Sequence, residues 1–380
     1  MRVLHQSRAW HFILFISQST TNMVQLARKR KSKGSLTPLL IGTLTTATVI
    51  FLYSSNQKIF GLWRKTSLSK SSFDFKVDGS CTKLPSVRPA GSYFLDDKID
   101  GGSSPEGVTP AFKVGSYYAN KVSHHMKTDE ANFSLVKEVV QGKEGGIVLD
   151  IGANQGFYTY YLAALGMNVH AFEIFEPNFK ALQHGAEFNP REVADRVNLY
   201  PVGLGQSNAR FDMKGTNYEG FLKEGKKGPI LGVTFDCFAY HMRNKLDFSN
   251  VAFVKLDVEG FEIAVLKGAQ NSLFKKGSSK IGGMIMEVGP DRWNRAQIDF
   301  STGVIEMKKL STHFQKSHII IREGGSYAKT CPPSLADDLV DKKAKQFLGA
   351  SMFTLQLDEW ESLLTVMEKN NYDCNFFYKN

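Results

Sequence analysis

From about residue 124 onward, short apolar runs alternate with amphipathic stretches. The run "GGIVLDIG" (145–152) has the unbroken apolar centre of a strand buried on both faces, and "MNVHAFEIF" (167–175), "RVNLYPVGLG" (196–205), "VAFVKLD" (251–257) and "IGGMIMEVG" (281–289) repeat that pattern. Between them lie stretches with helical spacing: "FYTYYLAALG" (157–166) closed by Gly166, "PNFKALQHGAEFN" (177–189) opened by Pro177, "FDCFAYHMRN" (235–244) and "FEIAVLKGAQNSLFKKG" (261–277). Near the end, "HIIIREGG" and "YDCNFFYKN" add two strands around the helix "LDEWESLLTVMEKN" (357–370). Strands alternating with helices predict an α/β fold, a parallel sheet with helices on both faces. Ligands of such sheets bind at the carboxyl ends of the strands, near the point where the strand order reverses.

The turn that follows the first strand, "VLDIGANQGFY", carries candidate chemistry. Asp150 ends the strand, and Gly152 and Gly156 bracket a G-x-x-x-G turn into a helix. Glu173 ends the next strand, 21 residues beyond Gly152, where a carboxylate can accept hydrogen bonds from both hydroxyls of a ribose. The G-x-G-x-x-G spacing of a dinucleotide site is absent, and Asp150 would repel a pyrophosphate. A ligand with an ammonium and a sulfonium suits this carboxylate better, and S-adenosylmethionine fits.

Three stretches, "VLDIGANQGFYTYYLAALG", "VHAFEIFEPN" and "VKLDVEGFEIAVLKGA", resemble the FkbM-type S-adenosylmethionine-dependent methyltransferases over roughly residues 145–290. The resemblance implies a Rossmann-like class I methyltransferase fold with a mostly parallel seven-stranded sheet. It also implies methylation of hydroxyl oxygens of sugars or natural products, with cofactor contacts at Asp150, Gly152, Ala153, Asn154, Gly156 and Glu173. One departure is "AFEIFEPN", whose extra "IF" leaves Glu176 as a second candidate for the ribose; Glu173 is preferred because it directly follows the apolar strand.

Methyl transfer to a hydroxyl requires that the acceptor be placed in line and its proton be taken as the bond forms. Asp257 and Glu259, at the end of the strand in "VAFVKLDVEGFE", are the candidate catalytic pair, with Asp257 first. The competing reading is that Asp257 caps the turn while Glu259 and Glu262 favour the positive end of the next helix. A third adds Glu287 to the pair as oxygen ligands of Mg²⁺ or Ca²⁺, although no metal ligand is assigned. His124 and His125 could supply a base from a lid or form a solvated loop, His170 reads as a packed histidine, and Trp293 in "GPDRWN" as an aromatic at the site's rim, with or without a sugar face against it.

Charge changes the picture at the N-terminus. Residues 1–70 hold eleven Lys and Arg and no acid, whereas the remainder holds 36 basic and 37 acidic side chains. The net charge of +10 is therefore no nucleic-acid footprint, which needs a basic face on the folded domain. "RKRKSK" precedes the uncharged stretch "LTPLLIGTLTTATVIFLYSS" (36–55), about the length a bilayer requires despite its five threonines. The expected organisation is a basic cytoplasmic tail (1–35), a transmembrane signal anchor (36–55), a Ser/Gly/Pro-rich stem or lead-in (56–118) and a methyltransferase domain (119–380) that the positive-inside rule places in the Golgi or ER lumen. A plastid or mitochondrial leader is the alternative, since such leaders are also basic and acid-poor, and translation from Met23 is another. Four cysteines (Cys81, Cys237, Cys331, Cys374) allow three pairings in an oxidising lumen or stay free thiols; none has zinc spacing. Asn132-Phe-Ser134 is a sequon usable only in a lumen.

The expected activity is O-methylation of a sugar hydroxyl on a glycan or glycoconjugate. Methylation of a lipid or small metabolite in an organelle, and a methyltransferase-like scaffold without catalysis, are the alternatives.

Overall fold

The computed structural model describes Cys81 and residues 99–380, apart from 105–108, 117–121, 124–125, 128, 215–220, 225–229, 243–244, 275–279, 323–330, 340–343 and 349. The expected tail and membrane span, most of the lead-in, and His124 and His125 lie outside the described residues. Among the described residues no helix is long and apolar enough to cross a membrane.

Among the described residues, the apolar runs form a central sheet of ten strands. Its main members are β1 (Ile147–Ile151), β2 (Asn168–Phe172), β3 (Val197–Tyr200), β4 (Asn250–Leu256), β5 (Gly283–Val288), β6 (Lys316–Arg322), β7 (Lys345–Phe347), β8 (Ala350–Thr354) and β9 (Cys374–Lys379), and the two-residue strand Lys280–Ile281 pairs with the start of β4. Across the sheet the order is β7-β8-β6-β9-β5-β4-β1-β2-β3. Strands β1 to β5 run parallel to one another, whereas β9 is antiparallel to both β5 and β6. The order reverses between β1 and β4, which opens a crevice at their carboxyl ends.

The expected seven strands are thus three too few. The hairpin β7–β8 adds an antiparallel edge beyond β6, and its runs are too short to carry a legible periodicity. A separate four-stranded sheet, formed by Gly203–Leu204, Ala209–Lys214, Phe221–Glu224 and Ile230–Val233, is inserted after β3. "RVNLYPVGLG" therefore divides between two sheets at Pro201, whose missing N–H cannot continue a ladder.

Among the described residues, seven α-helices of seven or more residues flank the sheet: α1 (Glu130–Val140), α2 (Phe157–Ala164), α3 (Glu176–Phe188), α4 (Phe235–Met242), α5 (Glu262–Gly268), α6 (Phe300–Ser311) and α7 (Glu359–Asn370). Two of them, α1 and α6, were not expected. The Asp299 side chain caps α6 by accepting from Thr302 N at 2.8 Å. Because successive strand residues point to opposite faces, each strand contributes to two cores. Leu149, Val254, Leu256, Met286 and Phe376 pack against α4 to α7. Val148, Phe253, Ile285 and Phe377 pack against α1 and α2 on the other side. The same alternation carries Asp150, Lys255, Asp257, Glu287 and Asn375 onto this second face, and it is there that the polar cleft opens.

The four cysteines form two disulfides, Cys81–Cys237 and Cys331–Cys374. The first ties the lead-in to α4. A hairpin of Asp100–Ser103 and Lys113–Ser116 packs on α3, where Asn189 both accepts from Lys113 N (2.9 Å) and donates to Lys113 O (2.6 Å).

Candidate active site

The turn after β1 is built around the backbone of Asp257. Gly152 has φ +81, and a Cβ placed on it would overlap the Asp257 carbonyl oxygen and lie 2.8 Å from its carbon. Only glycine allows the cofactor turn and the end of β4 to approach this closely. Gly152 N and Ala153 N both donate to Phe172 O (3.0 and 2.9 Å), hanging the turn from the end of β2. Asn154 follows with φ +51, in the left-handed region that asparagine tolerates, and Gly156 starts α2.

Glu173 closes the turn from the other side. Its Oε2 accepts from Asn154 N and its Oε1 from Phe175 N, each at 2.7 Å. Burial raises this carboxyl to about 7, against the pull of those amides. Glu176, the alternative, lies in the first turn of α3 and pairs with Lys180 at 2.9 Å. Asn154 Oδ1 is buried without a partner beside the turn. The glycine cradle, this orphan acceptor and the adjacent carboxylate together fit an adenosyl ligand with hydroxyls and amines to offer.

Asp150 is fully buried beneath the turn. Its Oδ2 accepts from Thr159 Oγ1 at 2.5 Å, and its Oδ1 lies 3.9 Å from Lys255 Nζ. Burial raises its carboxyl, with Lys255 and Thr159 acting the other way. Lys255 is the residue that sequence reasoning passed over. Its ammonium donates to Gly152 O (2.6 Å), pairs with Asp257 Oδ2 (3.2 Å) and sits 5.8 Å from the centre of the Tyr158 ring. Burial alone would lower its pKa, but Asp257 and Asp150 outweigh that and keep it protonated. A lysine inside an otherwise apolar strand was the available signal.

Beyond this ammonium a cleft is lined by Asp129, Tyr158, Lys255, Leu256, Asp257, Ile285, Glu287 and Asn375. Asp129, at the start of α1, accepts from Tyr158 Oη (2.9 Å) and Arg322 Nη2 (2.6 Å). Asp257 is one-third exposed to the cleft. Glu259 has already entered the turn, with φ +56, and its carboxylate pairs with Arg292, while Arg295 Nη1 donates to its carbonyl at 3.0 Å. Carboxylate oxygens of Asp257, Glu259 and Glu287 lie within 4.8 Å of one another, a set able to hold a cation. Arg292 meets part of that charge, since it also faces Glu287 (3.7 Å) and pairs with Asp373. Burial, reinforced by Asp257 and Glu259, pushes Glu287 well above the usual carboxylate range. Glu262 lies inside the turn, where Oε1 accepts from Gly260 N (2.9 Å) and Val258 N (3.3 Å).

Two further expectations are resolved. His170 is a packed histidine, bonded through Nδ1 to Tyr200 Oη at 2.9 Å and held down to about 4 by burial. Trp293 is not at the rim: it is 1% exposed and stacks on Phe300 in the core, because the loop after β5 folds back under α6.

Residues 150–323 match the methyltransferase FkbM domain. The match starts at Asp150 and includes both the cofactor turn and the end of β4. Among solved structures, an O-methyltransferase from Bacillus cereus in complex with S-adenosylhomocysteine is 14% identical, with 52% of this chain and 76% of that one covered and a TM-score of 0.32. A SAM-dependent methyltransferase from Agrobacterium tumefaciens is 10% identical over 74% of this chain and 71% of its own, with a TM-score of 0.37. A precorrin-6y C5,15-methyltransferase from Geobacter metallireducens is 9% identical over 65% and 87%, with a TM-score of 0.30. Likenesses at this level carry no functional inference beyond the family match. No curated protein matches the sequence.

Proposed function

We propose that the FkbM domain of this chain transfers a methyl group from S-adenosylmethionine to a hydroxyl oxygen of a sugar on a glycan or glycoconjugate, with Asp257 as proton acceptor. The observation that carries this reading is the contact between the cofactor turn and the end of β4, where the Gly152 backbone lies directly against that of Asp257. When bound, S-adenosylmethionine supplies an electrophilic methyl carbon. Asp150, Gly152, Ala153, Asn154, Gly156 and Glu173 form the cradle that would hold it, and Glu173, whose oxygens also accept from Asn154 N and Phe175 N, would take the ribose hydroxyls on its remaining acceptor sites. Asp257, part-exposed beside that cradle, is positioned to receive the hydroxyl proton as the new bond forms. Glu259, engaged by Arg292 and Arg295, orients the wall opposite rather than taking a proton.

The lining supports a polyhydroxyl acceptor over a lipid. Three carboxylates, a tyrosine and Asn375 offer hydrogen bonds, whereas Leu256 and Ile285 give little apolar surface. Two disulfides support residence in an oxidising compartment, in keeping with a luminal domain behind an N-terminal anchor. Two measurements on the full chain test the proposal. Calorimetric titration should detect S-adenosylmethionine binding, and a glycan screen should find a cofactor-dependent gain of one methyl group. Absence of binding would sink the enzyme reading; methyl gain only on lipids or small metabolites would replace the acceptor.

A further inference from the structure

We infer that Lys255 is a positioning residue of the transfer step: its ammonium links the cofactor turn, through the Gly152 carbonyl, to the Asp257 carboxylate and so fixes the direction from which that carboxylate meets an acceptor hydroxyl. The inference rests on the reading of Asp257 as proton acceptor and adds a residue to it.

Register places this side chain. Lys255 stands opposite Asp150 of β1 in the parallel ladder, and the two-residue period of β4 puts Asp257 on the same face. Two of the ammonium's donors meet Gly152 O at 2.6 Å and Asp257 Oδ2 at 3.2 Å, and the charge stands 3.9 Å from Asp150 Oδ1, beyond hydrogen-bond range. Compensation of a fully buried Asp150 would explain a lysine here. It would not require the ammonium to lie nearer to Asp257 than to Asp150, nor the side chain to line the cleft.

The surroundings hold the arrangement still. Tyr158 lies against the ammonium and is tied by its hydroxyl to Asp129, which Arg322 and Asn132 hold in turn. With one Asp257 oxygen committed to Lys255, the other is left to the cleft. An arginine would keep the charge that Asp150 needs, but its planar fork cannot reproduce the two diverging contacts of the ammonium with Gly152 O and Asp257 Oδ2.

The test compares full-length wild type, Lys255→Arg, Lys255→Met and Asp257→Asn. In folded Lys255→Arg, kcat should fall about 100-fold, more than any accompanying loss of affinity for S-adenosylhomocysteine, at unchanged acceptor KM, the size expected of a misdirected catalytic group. Wild-type turnover in Lys255→Arg, or a loss that merely tracks cofactor affinity, would overturn the inference. Lys255→Met should be inactive, and active folded protein would overturn it too. A readout that needs no acceptor is the ¹⁵N resonance of the Lys255 ammonium, which should be visible in wild type and shift in Asp257→Asn. An unchanged resonance refutes the link itself. If wild type methylates nothing, the proposed function fails, and the resonance still decides whether the ammonium binds Asp257.

Discussion

Replacing Gly152 by alanine tests whether the cofactor turn and the end of β4 work as one unit. The new Cβ would overlap the Asp257 carbonyl oxygen and stand 2.8 Å from its carbon, so turn and strand must separate by roughly 1.5–2 Å before that oxygen reaches ordinary contact distance. Alanine at φ +81 adds about 1–2 kcal/mol. Separation also strains the Asp257 N to Ile151 O hydrogen bond, now 3.0 Å and worth about 1 kcal/mol. The sum, roughly 2–3 kcal/mol, favours a displaced turn that must be drawn back whenever cofactor binds. At about 1.4 kcal/mol per tenfold, affinity for S-adenosylhomocysteine should weaken about 30- to 150-fold. Calorimetry on folded protein measures this. Gly142→Ala is the control, because Gly142 also has a positive φ (+75) but nothing within 4 Å of the added carbon. It should lower the melting temperature slightly and leave affinity unchanged. If Gly152→Ala binds as tightly as wild type, the turn and strand end are not coupled, and the geometric case for the site collapses.

Asp257→Asn should leave S-adenosylhomocysteine affinity nearly intact and cut turnover by about 10²–10⁴, the usual contribution of a positioned base; equal turnover would leave a turn-capping role. Burial raises both Glu173 and Glu262 to about 7, so the folded state keeps protons that the unfolded chain releases from about pH 4.5, and stability should fall as pH rises from there to about 7. Glu262→Gln keeps the acceptor oxygen for Val258 and Gly260 but cannot titrate, so melting temperatures across that window should decline less steeply than in wild type; equal slopes would exclude the burial argument. Removing the Cys331–Cys374 disulfide, whose partners are 43 residues apart, should cost about 4 kcal/mol by the loop-entropy relation, read as a lower denaturation midpoint in the double serine variant than in oxidised wild type.

The parts of this fold that could be read in advance are those written in short-range patterns. Buried strands announce themselves by apolar runs, and a strand followed by Asp150, Gly152 and Gly156 marks a turn whatever surrounds it. The face on which Lys255, Asp257 and Glu287 gather follows from counting by two along β4 and β5. What could not be read depends on contacts between distant segments. Trp293 looked like a surface aromatic because nothing local says that α6 covers it, and the hairpin β7–β8 is held by its partner β6 rather than by its own composition. Pairing of the cysteines was equally illegible, since three arrangements satisfy the same four residues. The share of Arg292 among Glu259, Glu287 and Asp373 joins three elements that no spacing rule connects.

The position of β9 bears on how the molecule assembles. This strand follows β6 in the chain yet lies between β6 and β5, so the sheet cannot close in the order in which it is made. Until β9 arrives, β5 and β6 face each other across an open slot with unsatisfied backbone groups on both sides. Pairings at such sequence separation form slowly, because the intervening chain must be ordered before they reward it. Asn375 of the cleft and Asp373, the partner of Arg292, ride on this last segment. The acceptor side of the site is therefore complete only once β9 is in place, whereas the contacts of the Gly152 turn with β2 and the end of β4 do not involve that strand.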